Sequence, residues 1–168
     1  MPPQIVRFIL PPMNDEAFTS LPGGTRLRKS DPLFDAVGSL DELNAALGLL
    51  RAQLAGSADA PLVESIQRDL LRLGAELATG QPHLAPAALA ALEAETARRE
   101  SALPLLHEFI LPGDTEPSAR AHLARAVCRR AERDLLRAQE RHPGRASPAA
   151  LPYLNRLSAL LFALARSL

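Results

Sequence analysis

Five side chains with chemical capability recur at intervals of three and four residues along one stretch of the chain: His122, Arg125, Arg129, Glu132 and Arg133. On a helix that spacing gathers them on one face, while Arg130 points elsewhere. Planar guanidinium groups fork onto phosphate oxygens, so such a face suits an anion. The same pattern also describes a solvated charged face held by intrahelical ion pairs, and periodicity alone leaves both readings open. Lys29 is the single lysine in a chain that otherwise uses arginine, which makes it a second candidate for anion contact. Asp41 and Asn44 lie beside a leucine stripe, where Asp41 reads either as a favourable first-turn charge or as a polar site residue. Asn155 precedes Arg156 in an otherwise apolar stretch, and a half-buried amide there needs a partner on a neighbouring helix or on a ligand.

Other chemistries find less support. A di-metal site of the ferritin-like kind needs helical Glu-x-x-His pairs, and the sequence contains none. His83, His107, His122 and His142 are scattered, mostly near expected helix ends, and read as surface or satisfied histidines; no metal held by protein side chains is expected. No Gly-x-Ser-x-Gly elbow is present to present a serine nucleophile. The one cysteine, Cys128, has no internal partner for a disulfide.

The elements that must position these residues are helical. Leu40, Leu43, Leu47, Leu50 and Leu54 alternate steps of three and four, with Ser39 and Glu42 forming a capping box at the expected start. Val63, Ile66, Leu70, Leu73 and Leu77 repeat the pattern after Pro61 and stop near Gly80. A more exposed, Ala- and Glu-rich helix is expected from Pro86 to about Leu103. Thr115, Glu116 and Pro117 open a fourth that runs to about Glu140, with Ala121, Ala124, Cys128, Ala131 and Leu135 on its buried side. Ser147-Pro148 opens a fifth, its inward row being Leu151, Leu154, Leu157, Leu161, Leu164 and Leu168. Residues 1–30, rich in proline and containing Gly23-Gly24, read as an arm or loop with a short extended run at Ile5 to Leu10, and residues 31–168 as the helical domain.

Composition agrees with an all-α, five-helix bundle of 168 residues in which aromatic content is 4% and β-branched residues are scarce. Lys+Arg and Asp+Glu balance at 19 each, so no overall field draws the chain to nucleic acid or an anionic membrane, and a small-molecule partner fits better. Leu157 to Leu168 is too short to span a bilayer. No charged start followed by an apolar run resembles a signal peptide, so a cytoplasmic protein is expected.

Four ordered blocks carry a resemblance to a known family: Lys29 through Asn44 (KSDPLFDAVGSLDELN), Phe109 through Thr115 (FILPGDT), Ala124 through Arg133 (ARAVCRRAER), and Tyr153 through Ser158 (YLNRLS). Together they resemble the PduO-type ATP:cob(I)alamin adenosyltransferases, which are trimers of five-helix bundles. The resemblance implies attack by cobalt(I) on the 5′ carbon of ATP, giving adenosylcobalamin and triphosphate. It implies ATP with Mg2+ and cob(I)alamin as ligands, a homotrimer, and a reductase or acceptor enzyme as a possible partner. Arg129, Arg133, Asn155, Lys29, Thr19 and Ser20 match nucleotide-contacting positions, Glu132 falls in the same motif, and Asp15 survives in the phosphate loop. Arg125 and Asp41 match a salt bridge between subunits beside the site. Phe109 matches the aromatic residue that keeps the lower axial ligand off cobalt, although a lone Phe is more often core.

The family's phosphate loop reads Thr-Gly-Asp-x-Gly before small hydroxyl residues, whereas this chain has Met13-Asn14-Asp15-Glu16-Ala17-Phe18-Thr19-Ser20. Ala17 adopts left-handed conformations less readily than glycine, and Phe18 adds bulk. Asp114 also replaces a glycine after Leu111-Pro112-Gly113. Two functions follow as expectations: an adenosyltransferase with a remodelled loop, or a non-catalytic homologue that binds nucleotide or cobalamin.

Overall fold

The computed structural model describes residues 17–22 and 25–168. Within them lie a two-stranded hairpin, β1 (Phe18–Ser20) and β2 (Arg26–Arg28), and five helices: α1 (Pro32–Gln53), α2 (Ala60–Thr79), α3 (Ala88–Ala102), α4 (Glu116–Arg141) and α5 (Ala150–Ser167). The apolar run Ile5 to Leu10, expected to be extended, lies outside the described residues. α1 packs on α2 and α4, α4 also packs on α5, and α5 carries α3 on its other side. The expected stripes of α1 and α2 are buried throughout, as is the small-residue row of α4. In α5 the row is buried except at its ends, where Leu151 and Leu168 are partly covered.

The start of α1 departs from expectation. The helix begins at Pro32, and Asp31 is the N-cap, its carboxylate accepting from the Leu33 N–H at 3.0 Å. Asp-Pro supplies both a cap and a preset φ, and so outranks the capping box further on. Ser39 is instead buried mid-helix, where its hydroxyl donates to the Asp134 carboxylate of α4, and Glu42 pairs with Arg130. α5 likewise starts later than Ser147-Pro148, at Ala150. The other limits follow local chemistry: Gly80 closes α2 with φ of 71°, a left-handed conformation that favours glycine, and Thr115 caps α4 by accepting from the Ser118 N–H at 3.2 Å.

The hairpin has no helical signal and its strands are too short to show a period-two pattern. It is antiparallel, with Phe18 opposite Arg28, Thr19 opposite Leu27 and Ser20 opposite Arg26. Leu21 is buried in the helical core and Leu27 packs against it, so the hairpin is seated on the bundle. α3 is mostly exposed as expected but is pinned by Arg99, whose guanidinium pairs with Asp59 and with Glu95. Hydrogen bonding from Arg98 and then Arg99 holds the Glu95 carboxyl down at about 2 against the opposing effect of burial.

Besides Asp134, two more carboxylates, Asp69 and Glu76, are buried against polar partners. Asp69 accepts from the Tyr153 hydroxyl at 3.1 Å and pairs with Arg72 at 2.7 Å. Glu76 is closed to solvent and accepts three backbone N–H groups, from His83 at 2.8 Å, Leu84 at 2.7 Å and Ser147 at 3.0 Å, which ties the two inter-helix loops to α2. Burial works to raise its pKa, yet the N–H donors outweigh it and hold the carboxyl below its ordinary value. Glu76→Ala strands these donors and is expected to lower stability by about 3 kcal/mol at neutral pH. A depressed folded pKa means the contribution is complete above the unfolded value of about 4.3 and fades as pH falls through the folded one. Urea denaturation of both proteins at neutral and strongly acid pH checks this, the gap narrowing in acid.

Candidate functional site

α4 presents its site face because its opposite rows are taken up by packing. Arg129, Glu132, Arg133 and Leu136 project from α4 toward Leu151, Pro152 and Asn155 of α5, and together they line an open cavity of about 570 Å³. Asn155 Nδ2 donates to Glu132 Oε1 at 3.0 Å, and Arg133 Nη1 donates to the Arg129 carbonyl at 2.9 Å. Among the described residues neither guanidinium is paired with a carboxylate. Two cations and an amide already engaged with a carboxylate give a surface able to neutralise a polyanion. Arg130 stands off this face, on Glu42. Leu136, Leu151 and Pro152 were not legible as site residues, because Leu151 reads as part of the inward row of α5 and nothing in the type of Leu136 or Pro152 points to a ligand.

One turn toward the start of α4 lies a second cavity, of about 660 Å³, lined by Leu106 to Ile110, Pro112, His122, Arg125 and Phe162. Phe109 is not core at all: it is 104% exposed, on a loop whose Leu105 and Leu111 are also open. Arg125 lies over the Phe162 ring at 4.9 Å, Arg166 approaches the same ring at 5.9 Å, and His122 meets it edge-on at 6.0 Å. His122 corrects the expectation of a surface or satisfied histidine, since it is 9% exposed and its buried Nε2 has no hydrogen-bond partner. Burial, and then the neighbouring Arg125, lower its pKa, with Asp114 opposing. Of the others, His142 Nε2 bonds Asp31 at 2.7 Å, His83 Nε2 lies 3.2 Å from the Thr79 hydroxyl, and His107 is exposed.

The N-terminal candidates form a separate group. Thr19 and Ser20 are on β1, and Lys29 follows β2, its N–H donating to the Ala17 carbonyl at 2.8 Å. Asp15 lies outside the described residues. The Asp31–His142 contact seats the base of this group at the C-terminal end of α4, about 20 Å along the helix from Arg129. Asp41 is exposed on α1 and, among the described residues, makes no ion pair with Arg125. One chain therefore brings together Arg129, Glu132, Arg133 and Asn155, and separately Arg125 and Phe109. Lys29, Thr19 and Ser20 lie toward the other end of α4, and Asp41 lines neither cavity. Phe18 is turned outward, with Arg26 and Arg28 over its ring at 5.4 and 5.3 Å.

Residues 12–168 match the family model described as cobalamin adenosyltransferase. The chain belongs to the cobalamin adenosyltransferase family. It is 43% identical over 157 residues to a cobalamin adenosyltransferase of Cupriavidus metallidurans, covering 92% of this chain and 84% of that one. It is 40% identical over 160 residues to the corrinoid adenosyltransferase PduO of Salmonella typhimurium, covering 91% of this chain but 47% of that longer protein. Among solved structures it resembles a variant PduO-type ATP:corrinoid adenosyltransferase from Lactobacillus reuteri complexed with cobalamin and ATP, with a TM-score of 0.82 and 29% identity over 90% of this chain and 88% of that one.

In this adenosyltransferase the lone thiol takes no part on either face. Cys128 is buried on the inner row of α4, its Sγ donating to the Leu154 carbonyl at 3.2 Å, and burial pushes its pKa up to about 12. The native protein is expected to show no reaction with a disulfide reagent at mildly alkaline pH over the time in which the guanidinium-unfolded chain reacts fully. Titration of released thiolate chromophore in the two states checks this.

Proposed function

We propose that this chain transfers the 5′-deoxyadenosyl group of ATP to cob(I)alamin, releasing triphosphate. The observation that carries the reading is the adjacency of two unlike cavities on one helix: the Arg129–Arg133–Asn155 surface is cationic, the Phe109–Phe162 surface is wide and largely apolar, and Arg125 and Arg129 are one turn, about 6 Å, apart. A direct transfer between two large substrates needs such neighbours. The bond formed joins cobalt to the 5′ carbon, the bond broken is the one from that carbon to the triphosphate oxygen, and both electrons of the new bond come from cobalt(I). No proton transfer is required of the protein, so a site with guanidiniums and no general base is adequate.

Arg129 and Arg133 take the charge that grows on the leaving triphosphate, which enters with Mg2+. Asn155 holds Glu132 across from them. Phe109 stands free of the core, which supports a role beneath a corrin ring, where it would keep a lower ligand off cobalt. Residues 31–168 act as the catalytic bundle, to which the hairpin holding Thr19 and Ser20 is attached.

The separation of the two polar groups supports an assembly in which copies share the site, for which the family resemblance suggests a homotrimer. Lys29, Thr19 and Ser20 lie at the far end of α4 from Arg129, and Asp41 makes no ion pair with Arg125 among the described residues, so a neighbouring copy would deliver the first group to ATP and the second to Arg125. The exposed Leu105 and Leu111 give that contact an apolar element. Cobalt(I) requires a strong electron donor, which fits a reductase partner, an acceptor for the product and a cytoplasmic setting. Among the described residues no helix is long and apolar enough to cross a membrane.

Calorimetry with Mg-ATP, followed by an anaerobic absorbance assay for the cobalt–carbon bond, tests the reading; ATP binding without product would leave only a binding protein. Arg129→Ala is expected to reduce kcat/KM for ATP about 100-fold, the scale for losing one charge-stabilising donor. Arg130→Ala breaks only the exposed pair with Glu42 and is expected to change it less than about threefold. Equal effects would mean that the site lies on another face of α4.

A further inference from the structure

His122 is hard to explain as a structural residue. It sits on α4 at 9% exposure, its Nε2 is buried without a hydrogen-bond partner, and it lines the same cavity as Phe109 and Arg125. No neighbour bonds this nitrogen: Phe162 meets the ring edge-on at 6.0 Å, and Arg125 is itself stacked over Phe162. An apolar ring of similar size would fill that space without leaving a nitrogen unsatisfied. Burial and Arg125 keep the imidazole neutral, so it carries one donor and one acceptor. A largely apolar cavity with one buried, unpartnered polar group in its wall typically uses that group to orient a ligand.

We propose that His122 is a corrinoid-contacting, specificity-determining residue whose Nε2 pairs with a side-chain amide at the edge of the corrin ring. This rests on the reading that the Phe109 cavity seats the corrinoid. A primary amide offers both an N–H and a C=O, so it satisfies Nε2 in either tautomer. ATP has no such requirement of this residue, because its contacts lie in the neighbouring cavity on Arg129 and Arg133. The nearby anionic group, Asp114, acts on His122 through space without a hydrogen bond to it.

The test is steady-state kinetics with cob(I)alamin and with ATP on His122→Phe and His122→Gln, beside urea denaturation of each. His122→Phe keeps the contact with Phe162 and removes the unsatisfied nitrogen, so its stability is expected to equal or exceed that of the original protein. Its KM for cob(I)alamin is expected to rise about tenfold, with KM for ATP unchanged. His122→Gln, which carries an amide nitrogen close to the place of Nε2, should recover most of the loss. Should His122→Phe fail to fold, His122→Asn replaces it: Asn reaches only the Nδ1 position and should show the raised corrinoid KM that Gln does not. A destabilised His122→Phe with unchanged corrinoid KM would make the imidazole structural and overturn the proposal. So would a parallel rise in both KM values, which would mean that His122 acts through Arg125. Phe109→Ala separates the two levels: if it too leaves corrinoid use unchanged, the cavity assignment fails, whereas a Phe109→Ala defect with an unaffected His122→Phe overturns the histidine proposal alone.

Discussion

The inner rows of α4 carry Ala121, Ala124, Cys128, Ala131 and Ala138, all closed or nearly closed to solvent, and such short side chains let the helix lie close against both α1 and α5. Close approach lets short polar groups bridge between helices. Ser39 of α1 reaches Asp134, the Ser118 hydroxyl reaches the Ala165 carbonyl at 2.7 Å, and the Cys128 thiol reaches the Leu154 carbonyl at 3.2 Å. The last two fix how α5 slides and turns relative to α4, and the first does the same for α1. Asn155 follows Leu154, and Glu132 is one turn beyond Cys128, so the same register that satisfies the thiol places the amide on the carboxylate. The cationic cavity is thus a consequence of alanine packing on the far side of the helix. A bulky residue at Ala124 or Ala131 would act on the site without touching it.

The other end of α4 is governed by a different interaction. Asp31 closes three things at once: its carboxylate caps α1, its N–H donates to the Arg28 carbonyl at 2.9 Å, and its Oδ1 meets His142 at the end of α4. Burial works to raise its pKa, but the Leu33 N–H and His142 outweigh that and hold the carboxyl below its usual value. The hairpin and Lys29 are thereby fixed to the bundle at a place remote from Arg129. The separation is a property of rigid, well-packed helices, and no side-chain rotation spans it.

Helix positions were legible in the sequence wherever a stripe of large apolar residues met a clear stop, as with Val63 to Leu77 before Gly80. They were misread where two start signals competed: Ser39 and Glu42 fit a capping box, but both side chains are used in contacts to α4, which no local pattern reveals. The hairpin was missed because its cohesion comes from Leu21 and Leu27 packing on helices distant in sequence. The grouping of Arg129, Glu132 and Arg133 followed from helical period alone, whereas the contact between Asn155 and Glu132 depends on interhelix register. The state of His122 was illegible for the same reason, since its burial is decided by Phe162 on another helix.

The rewritten N-terminal loop bears on how a leaving triphosphate is stabilised under the proposed reaction. Glycine-rich loops do this with backbone N–H groups that require unusual φ values, and Ala17 and Phe18 do not favour that conformation. Phe18 has a different use here: with its ring facing outward, it draws the Arg26 and Arg28 guanidiniums over its surface on the strand face that also carries Ser20. Lys29 continues the cationic run, and its N–H to Ala17 closes the hairpin base. Charge on flexible side chains costs more ordering than fixed amides, yet guanidiniums bond phosphate bidentately and tolerate imprecise placement. Stacked on Phe18, these arginines give the hairpin a cationic face that does not depend on glycine.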